Sequence, residues 1–364
     1  MKSASKRILI ATGGTGGHVF PAQALAEQLK KQDPDYEILF MGKGLETNKY
    51  FQRDLFASRS IDSATPFRKG VLQKAFSLLQ IIKGSWQAFC WLREFQPSMV
   101  VGFGSFHSFP VLLAAVLRRV PIALFESNSI PGKVNRIFSR CALFTGVQFA
   151  GAKKWMKGPC IEVAMPLWRQ EKEVSKEEAR SYFSLEKDLF TYLVFGGSQG
   201  AVSINQTIAE SLQAFHQEVE KIQVIHITGS ESSAEEMRAF YQKKGIKACI
   251  KPFEEKMLFA WSSADLAICR AGASTLAELM NFEVPAILIP YPTASDEHQL
   301  KNAQFLQEEV KGAFCLEEKD LTAAKLLLCL KDSDLCLMKQ SIQDFKKARP
   351  MEELKDLITR WLSK

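Results

Sequence analysis

His18 follows a glycine-rich turn, Gly13-Gly-Thr-Gly-Gly17, at the end of the apolar run Arg7–Thr12. Glycines let a phosphate come close to the backbone, and the helix start beyond them offers unpaired N–H groups. An imidazole placed there can take a proton from a substrate hydroxyl or hydrogen-bond a phosphate. The plainer alternative is a histidine capping a helix that starts near Pro21. A second turn, Gly196-Gly-Ser-Gln-Gly200, follows a second apolar run, Phe190–Phe195. Each turn alone could be no more than a tight bend at a sheet edge. Two of them in equivalent places point to a phosphate-rich ligand.

Two more polar constellations lie in the second half. In Cys269-Arg-Ala-Gly-Ala-Ser-Thr-Leu-Ala-Glu278, Ser274 and Thr275 stand at an expected helix start and Glu278 one turn inside it. A carboxylate there can accept both hydroxyls of a ribose. Thr275 and Glu278 also fit a capping box, and the local sequence does not separate the two readings. Asp296-Glu-His298-Gln299-Leu-Lys-Asn302 follows the proline-rich Pro290-Tyr-Pro292 and offers groups able to hydrogen-bond a sugar, or else a solvated helix start.

The elements that must position these groups alternate. Short strands are expected at 37–41, 98–102, 122–126, 224–228, 266–269 and 286–289, and helices at 21–31, 202–215 and 351–362. Strand alternating with helix, twice over, predicts two doubly wound parallel α/β domains. The composition breaks near 158–175, where Met165-Pro-Leu-Trp168 gives way to a charged run starting at Arg169. The boundaries read as 1–168 and 169–344, with a C-terminal helix at about 345–364 returning to the first domain.

The formal net charge is +7 over 364 residues. Residues 1–168 carry 22 Lys and Arg against 10 Asp and Glu, whereas residues 169–364 carry 25 against 30. An anionic partner is therefore expected for the first half alone. Between Asp62 and Glu94 there is no acidic residue, and the segment 67–95 interleaves Arg68, Lys69, Lys74, Lys83 and Arg93 with Leu72, Phe76, Leu79, Ile82, Trp86 and Trp91. That is the pattern of a basic amphipathic helix lying on an anionic bilayer, or of a core helix with a basic edge. Nucleic acid is disfavoured, because no recognised binding module accompanies the charge.

Several classes are excluded. The longest apolar run, Val111–Leu117, is far short of a membrane span. The N-terminal residues lack a signal-peptide hydrophobic stretch. The eight cysteines show no C-x-x-C pair, as expected for a cytosolic chain, and no histidine or cysteine spacing suggests a structural metal. Neither glycine turn reads G-x-G-x-x-G, which counts against a nicotinamide-dependent oxidoreductase, and no P-loop occurs.

Taken in order, GGTGGHVFPA (13–22), ESNSIPG (126–132), GGSQGA (196–201), CRAGASTLAE (269–278) and DEHQLKNA (296–303) closely resemble the MurG family of bacterial glycosyltransferases, family 28. The resemblance implies a GT-B fold, two Rossmann-like domains facing a cleft. It implies inverting transfer of GlcNAc from UDP-GlcNAc to the C4 hydroxyl of MurNAc in lipid I, giving β1,4-linked lipid II on the cytoplasmic face of the inner membrane. No cofactor or metal is implied, and partners among cell-wall and division proteins are. Of the substrate-binding positions, Thr15, Gly16, Gly17 and Asn128 line the acceptor side with His18, the candidate base or acceptor-diphosphate ligand. On the donor side Phe253 and Glu254 flank the uracil, and Glu278 holds the ribose. Ser198 and the backbone at Ala273, Ser274 and Thr275 meet the diphosphate, and His298, Gln299 and Asn302 read the sugar. Leu72, Phe76, Leu79, Ile82, Lys83 and Trp86 meet the membrane.

The sequence departs from the family pattern at Phe125 and Ser127, at Phe106, and at Trp168, which displaces Arg169, the expected phosphate ligand, by one position. The alternatives are another GT-B enzyme with a lipid acceptor, or a nucleotide-sugar-binding protein that has lost its acceptor site.

Overall fold

The computed structural model describes residues 6–65, 70–168, 174–196, 202–218, 221–292 and 297–363. The chain divides into two compact units, Met1–Arg169 with Met351–Lys364, and Gln170–Pro350.

The first unit is built on β1 (Arg7–Ala11), β2 (Glu37–Gly42), β3 (Ser58–Ser60), β4 (Met99–Gly102), β5 (Ile122–Glu126), β6 (Phe144–Val147) and β7 (Cys160–Ala164). They form one parallel sheet in the order β7-β6-β5-β4-β1-β2-β3, and a two-residue strand, Glu352–Glu353, extends it beside β7. Ile8, Leu9 and Ile10 are fully buried, the burial on both faces that a parallel sheet covered by helices requires. Those helices are α1 (Gly16–Gln32), α2 (Val71–Phe95), α3 (Phe109–Leu117) and α4 (Lys133–Phe138). Leu9, Val100, Leu112, Leu124 and Phe138 share one core.

Three expectations need correction here. The first helix begins at Gly16, with Thr15 as its N-cap, and not near Pro21. Pro21 lies inside it, so Gly17 loses its usual intrahelical N–H partner. His18 is thus a first-turn residue and does not cap a later helix. The expected helix at 345–364 is broken by Pro350, and its last part spans Leu354–Leu362. Leu354, Leu357 and Ile358 of that last part are buried, and Tyr36 Oη lies 3.4 Å from Thr359 Oγ1.

The second unit runs α5 (Lys176–Tyr182), β8 (Phe190–Phe195), α6 (Val202–Glu218), β9 (Ile222–Ile227), α7 (Glu231–Lys244), β10 (Lys247–Lys251), α8 (Met257–Ser263), β11 (Leu266–Cys269), α9 (Ala273–Phe282), β12 (Ala286–Leu288), α10 (His298–Gln304), β13 (Ala313–Cys315), α11 (Ala323–Asp332) and α12 (Leu335–Ala348). Its parallel sheet is ordered β10-β9-β8-β11-β12-β13. Tyr192, Val194, Ile204, Leu212, Ile268 and Leu326 form its core.

Both sheets reverse direction of growth at one place, between β1 and β4 and between β8 and β11. Ligands of doubly wound sheets bind beyond the strand carboxyl ends at such switch points. The loops leaving β1, β4 and β11 are Gly13–Thr15, Phe103–Ser108 and Arg270–Gly272, so the first glycine turn and the Cys269–Glu278 motif fall where the topology opens a crevice, whereas the second glycine turn lies outside the described residues from 197 onwards.

Candidate active site

In the first unit the turn after β1 is shaped for close approach. Gly14 has φ of +87°, a conformation open to glycine and strained for other residues. A Cβ on Gly13 would lie 2.8 Å from Cβ of His107, and one on Gly14 would lie 3.1 Å from Cδ2 of the same ring. His107, on the loop after β4, therefore lies directly against the turn. Its ring stacks on Phe106 with centroids 4.2 Å apart, and its Nδ1 is buried with no hydrogen-bond partner among the described residues. Burial, with added repulsion from Lys43 and His18, pushes its pKa down to about 4, so the ring is neutral at neutral pH. His107 received no role from its sequence. Only the adjacency of β1 and β4 brings it here.

His18 sits in the first turn of α1, with Nδ1 2.8 Å from the carbonyl oxygen of Phe103. Thr12 Oγ1 donates to the backbone carbonyl of His18 at 3.1 Å, fixing the turn from the strand side. The loop carrying Asn128 folds around one buried carboxylate. Glu126 accepts from the N–H of Asn128 at 3.0 Å, the N–H of Gly132 at 3.0 Å and Nδ2 of Asn135 at 2.9 Å. Thr15, Gly16, Gly17, His18 and Asn128 are thus all at the carboxyl edge of one sheet, on the loops after β1 and β5 and at the start of α1.

In the second unit Gly272 is the N-cap of α9, and Ala273, Ser274 and Thr275 form its first turn. No acidic residue occupies that turn. Ser274 Oγ is enclosed and has no partner among the described residues. An acid-free first turn at the positive end of the helix dipole, with the Ser274 hydroxyl enclosed beside it, is an arrangement that can receive an anion. The capping box is not formed: Thr275 is inside the helix, and Glu278 accepts a hydrogen bond from Trp261 Nε1 at 2.7 Å. Burial pushes the Glu278 carboxyl up to about 7, partly offset by that indole N–H.

The expected sugar motif is tied to the same place. Asn302 is fully buried and its Nδ2 donates to the carbonyl of Ala271 at 3.3 Å, which holds α10 against the loop before α9. Gln299 Oε1 accepts from the N–H of Tyr291 at 3.0 Å. His298 opens α10. Arg270, another residue whose role sequence reading missed, pairs with Glu318 at 2.7 Å and donates to the carbonyls of Ile289 and Pro290, securing the end of β12. Phe253 is 56% exposed beyond β10. The Glu254 carboxylate is buried and occupied by Lys251 Nζ at 2.5 Å and the N–H of Lys256 at 2.7 Å. Ser198 and Arg169 lie outside the described residues.

Helix α2 separates its faces sharply. Gly84 lets it press on the preceding segment, since a Cβ there would overlap the carbonyl of Asp62. Asp62 also pairs with Lys83 at 2.8 Å and receives Gln87 Nε2 at 3.1 Å. Ile81, Ala88 and Leu92 are buried, whereas Leu72, Phe76, Leu79, Ile82 and Trp86 are all more than half exposed, Leu72 at 87%. Half of this helix therefore fits the core reading and its outer face does not. Arg118 lies over Phe89, 4.7 Å from the ring centroid, at the border of that face. Residues 66–69 are outside the described residues. No helix among the described residues is long and apolar enough to cross a membrane, and no group of three or more metal-ligating side chains occurs among them.

Known proteins match this chain along both units. The glycosyltransferase family 28 N-terminal domain matches residues 8–145 and the family 28 C-terminal domain matches 191–360. A UDP-N-acetylglucosamine–N-acetylmuramyl-(pentapeptide) pyrophosphoryl-undecaprenol N-acetylglucosamine transferase of Protochlamydia amoebophila is 44% identical, over 94% of this chain and 92% of its own. The protein of the same name from Chlamydia pneumoniae is 35% identical over 89% and 88%. Among solved structures, Acinetobacter baumannii MurG aligns over 97% of this chain and 99% of its own, with a TM-score of 0.72 and 26% identity. A UDP-glucose:anthocyanidin 3-O-glucosyltransferase shares the fold at a TM-score of 0.69 and 14% identity, over 100% and 99%. The fold is thus of the expected GT-B class, and the resemblance drawn from the five motifs is borne out: this chain belongs to glycosyltransferase family 28.

Proposed function

We propose that the chain transfers GlcNAc from UDP-GlcNAc to the C4 hydroxyl of MurNAc in lipid I, with inversion, to give lipid II. Family membership and a 44% identical transferase of that name support the reaction. The observation that carries the donor half is the start of α9, an acid-free first turn with an unpartnered Ser274 hydroxyl, one turn before the Glu278 carboxylate. The diphosphate meets the N–H groups of Ala273, Ser274 and Thr275, with Ser198 and Arg169 as further ligands. Ribose hydroxyls donate to Glu278. Phe253 and the backbone of Glu254 border the uracil, and His298, Gln299 and Asn302 stand towards the sugar.

On the acceptor side Thr15, Gly16, Gly17, His18 and Asn128 receive the lipid-linked diphosphate sugar. His18 takes the proton of the attacking hydroxyl as the C4 oxygen bonds to the anomeric carbon and UDP departs on the opposite face. Fixed amides and a helix N-terminus stabilise the negative charge that grows on the leaving diphosphate. The outer face of α2 lies on an anionic bilayer at the cytoplasmic surface, where lipid I is presented, and division and cell-wall proteins are the partners expected nearby.

The test is transfer of labelled GlcNAc from UDP-GlcNAc to a lipid I analogue, with and without a chelator. Chelator-insensitive transfer with inverted stereochemistry is expected. Tight UDP-GlcNAc binding without transfer would instead identify a nucleotide-sugar-binding protein with a lost acceptor site.

A further inference from the structure

Trp261 has no part in the roles above. It is 1% exposed on α8, set edge-on to Phe195 with centroids 5.5 Å apart and parallel to Phe282 at 6.4 Å. Its Nε1, a donor only, gives its hydrogen bond to Oε2 of Glu278 at 2.7 Å. Glu278 comes late enough in α9 for the helix to satisfy its own backbone without it. The other titratable group recorded near its carboxylate among the described residues is the buried thiol of Cys269, which burial and Glu278 itself push far above its usual range and keep neutral. No cation pairs with the carboxylate among the described residues, so its position is costly unless more donors arrive. A carboxylate accepts at about four lone-pair sites, and the indole occupies one.

We propose that Trp261 is a positioning residue for the nucleoside: its indole N–H pins Oε2 of Glu278, holding the carboxylate in the rotamer whose remaining lone pairs accept the vicinal hydroxyls of the ribose. The wedge of Phe195 and Phe282 fixes the indole plane, and through it the carboxylate. The inference rests on the reading of Glu278 as the ribose ligand.

Trp261→Phe keeps an aromatic ring and removes the N–H. UDP is expected to bind the variant about tenfold more weakly, the scale of one hydrogen bond to a charged group. Binding of 2′,3′-dideoxy-UDP, which lacks the diol, is expected to be equal in variant and parent. The pH midpoint below which UDP affinity declines is expected to rise, because the indole no longer favours the ionised carboxylate. An equal loss for both nucleotides, or an unmoved pH midpoint, would reduce Trp261 to packing and overturn the proposal.

Glu278→Gln separates the two layers. Weakened UDP binding in Glu278→Gln beside a neutral Trp261→Phe overturns the positioning role alone, whereas unaltered UDP binding in Glu278→Gln removes the ribose reading and this inference with it. Should Trp261→Phe fail to fold, the indole N–H resonance of Trp261 in the unaltered protein serves instead. It is expected to shift with UDP and not with the dideoxy nucleotide, and a resonance unmoved by UDP overturns the proposal.

Discussion

The imidazole Nδ1 of His18 lies 2.8 Å from the carbonyl oxygen of Phe103. A carbonyl only accepts, so Nδ1 carries the hydrogen and the lone pair of the neutral ring is on Nε2. This is the tautomer a base needs, and it is set by a backbone atom that side-chain substitution at 103 leaves in place. We expect His18→Ala to lower kcat for GlcNAc transfer by about 100-fold or more, the usual contribution of a general base. UDP affinity should stay within about twofold, because no donor-side contact is assigned to it. Near-normal turnover in the variant would remove His18 from both of its assigned roles.

Two histidines make the fold acid-sensitive. Burial holds His107 down to about 4 and His226 down to about 3, against an ordinary value near 6.5. In the unfolded chain both take up protons as pH falls below 6.5, while the folded protein resists until the lower values. Stability is therefore expected to decline from pH 6.5 downwards, on the order of 3 °C in Tm per kcal/mol lost. His226 is locked between Tyr241 Oη at 3.1 Å and Asn205 Oδ1 at 3.3 Å, so replacing it would also break a buried network. His107→Gln should flatten the slope between pH 6.5 and 4 in a thermal melt series. An unchanged slope would show that His107 does not enter the acid transition.

Glu126 organises the acceptor-side loop. Its carboxylate takes two backbone N–H groups and the amide of Asn135, and Glu126→Ala would leave these donors unsatisfied at once. A loss of about 2–4 kcal/mol is expected in denaturant unfolding, in line with the cost of orphaned buried donors. Where the variant still folds, KM for the lipid acceptor should rise while UDP affinity holds. A variant with normal stability and normal acceptor KM would show that the loop keeps its shape without the carboxylate.

The strands before the two glycine turns were legible because they are short apolar runs leading into glycine, as at Ile8–Ala11 and Tyr192–Phe195. Others were not. β6 reads Phe-Thr-Gly-Val, with Gly146 inside the strand because a Cβ there would meet Val163 at 2.8 Å. β10 is an edge strand with lysine at both ends, a device that blunts sheet edges and hides the strand pattern. Nor does a single sequence reveal which loops become neighbours. His107 against Gly13, and Trp261 against Glu278, are products of strand order and helix packing, so their roles emerge only from the folded chain. The motifs around His18 and Ser274 stood out in the sequence because each lies between a strand end and a helix start.

The outer face of α2 is open to a direct test because so little of it supports the fold. Phe76, Leu79 and Trp86 are each more than half exposed, so replacing all three with serine should change stability by no more than about 0.5 kcal/mol per site. Binding to vesicles containing anionic lipid should fall by about 100-fold or more, since each buried side chain contributes on the order of 1.5–3 kcal/mol to partitioning. Lys83 is held by Asp62, so Lys83→Ala alone should weaken binding less than loss of the apolar residues does. Raising the salt concentration should weaken the parent protein's binding through the basic residues around this face. Vesicle binding unchanged by replacing Leu79, Lys83 and Trp86 together would show that the exposed face of α2 does not meet the bilayer.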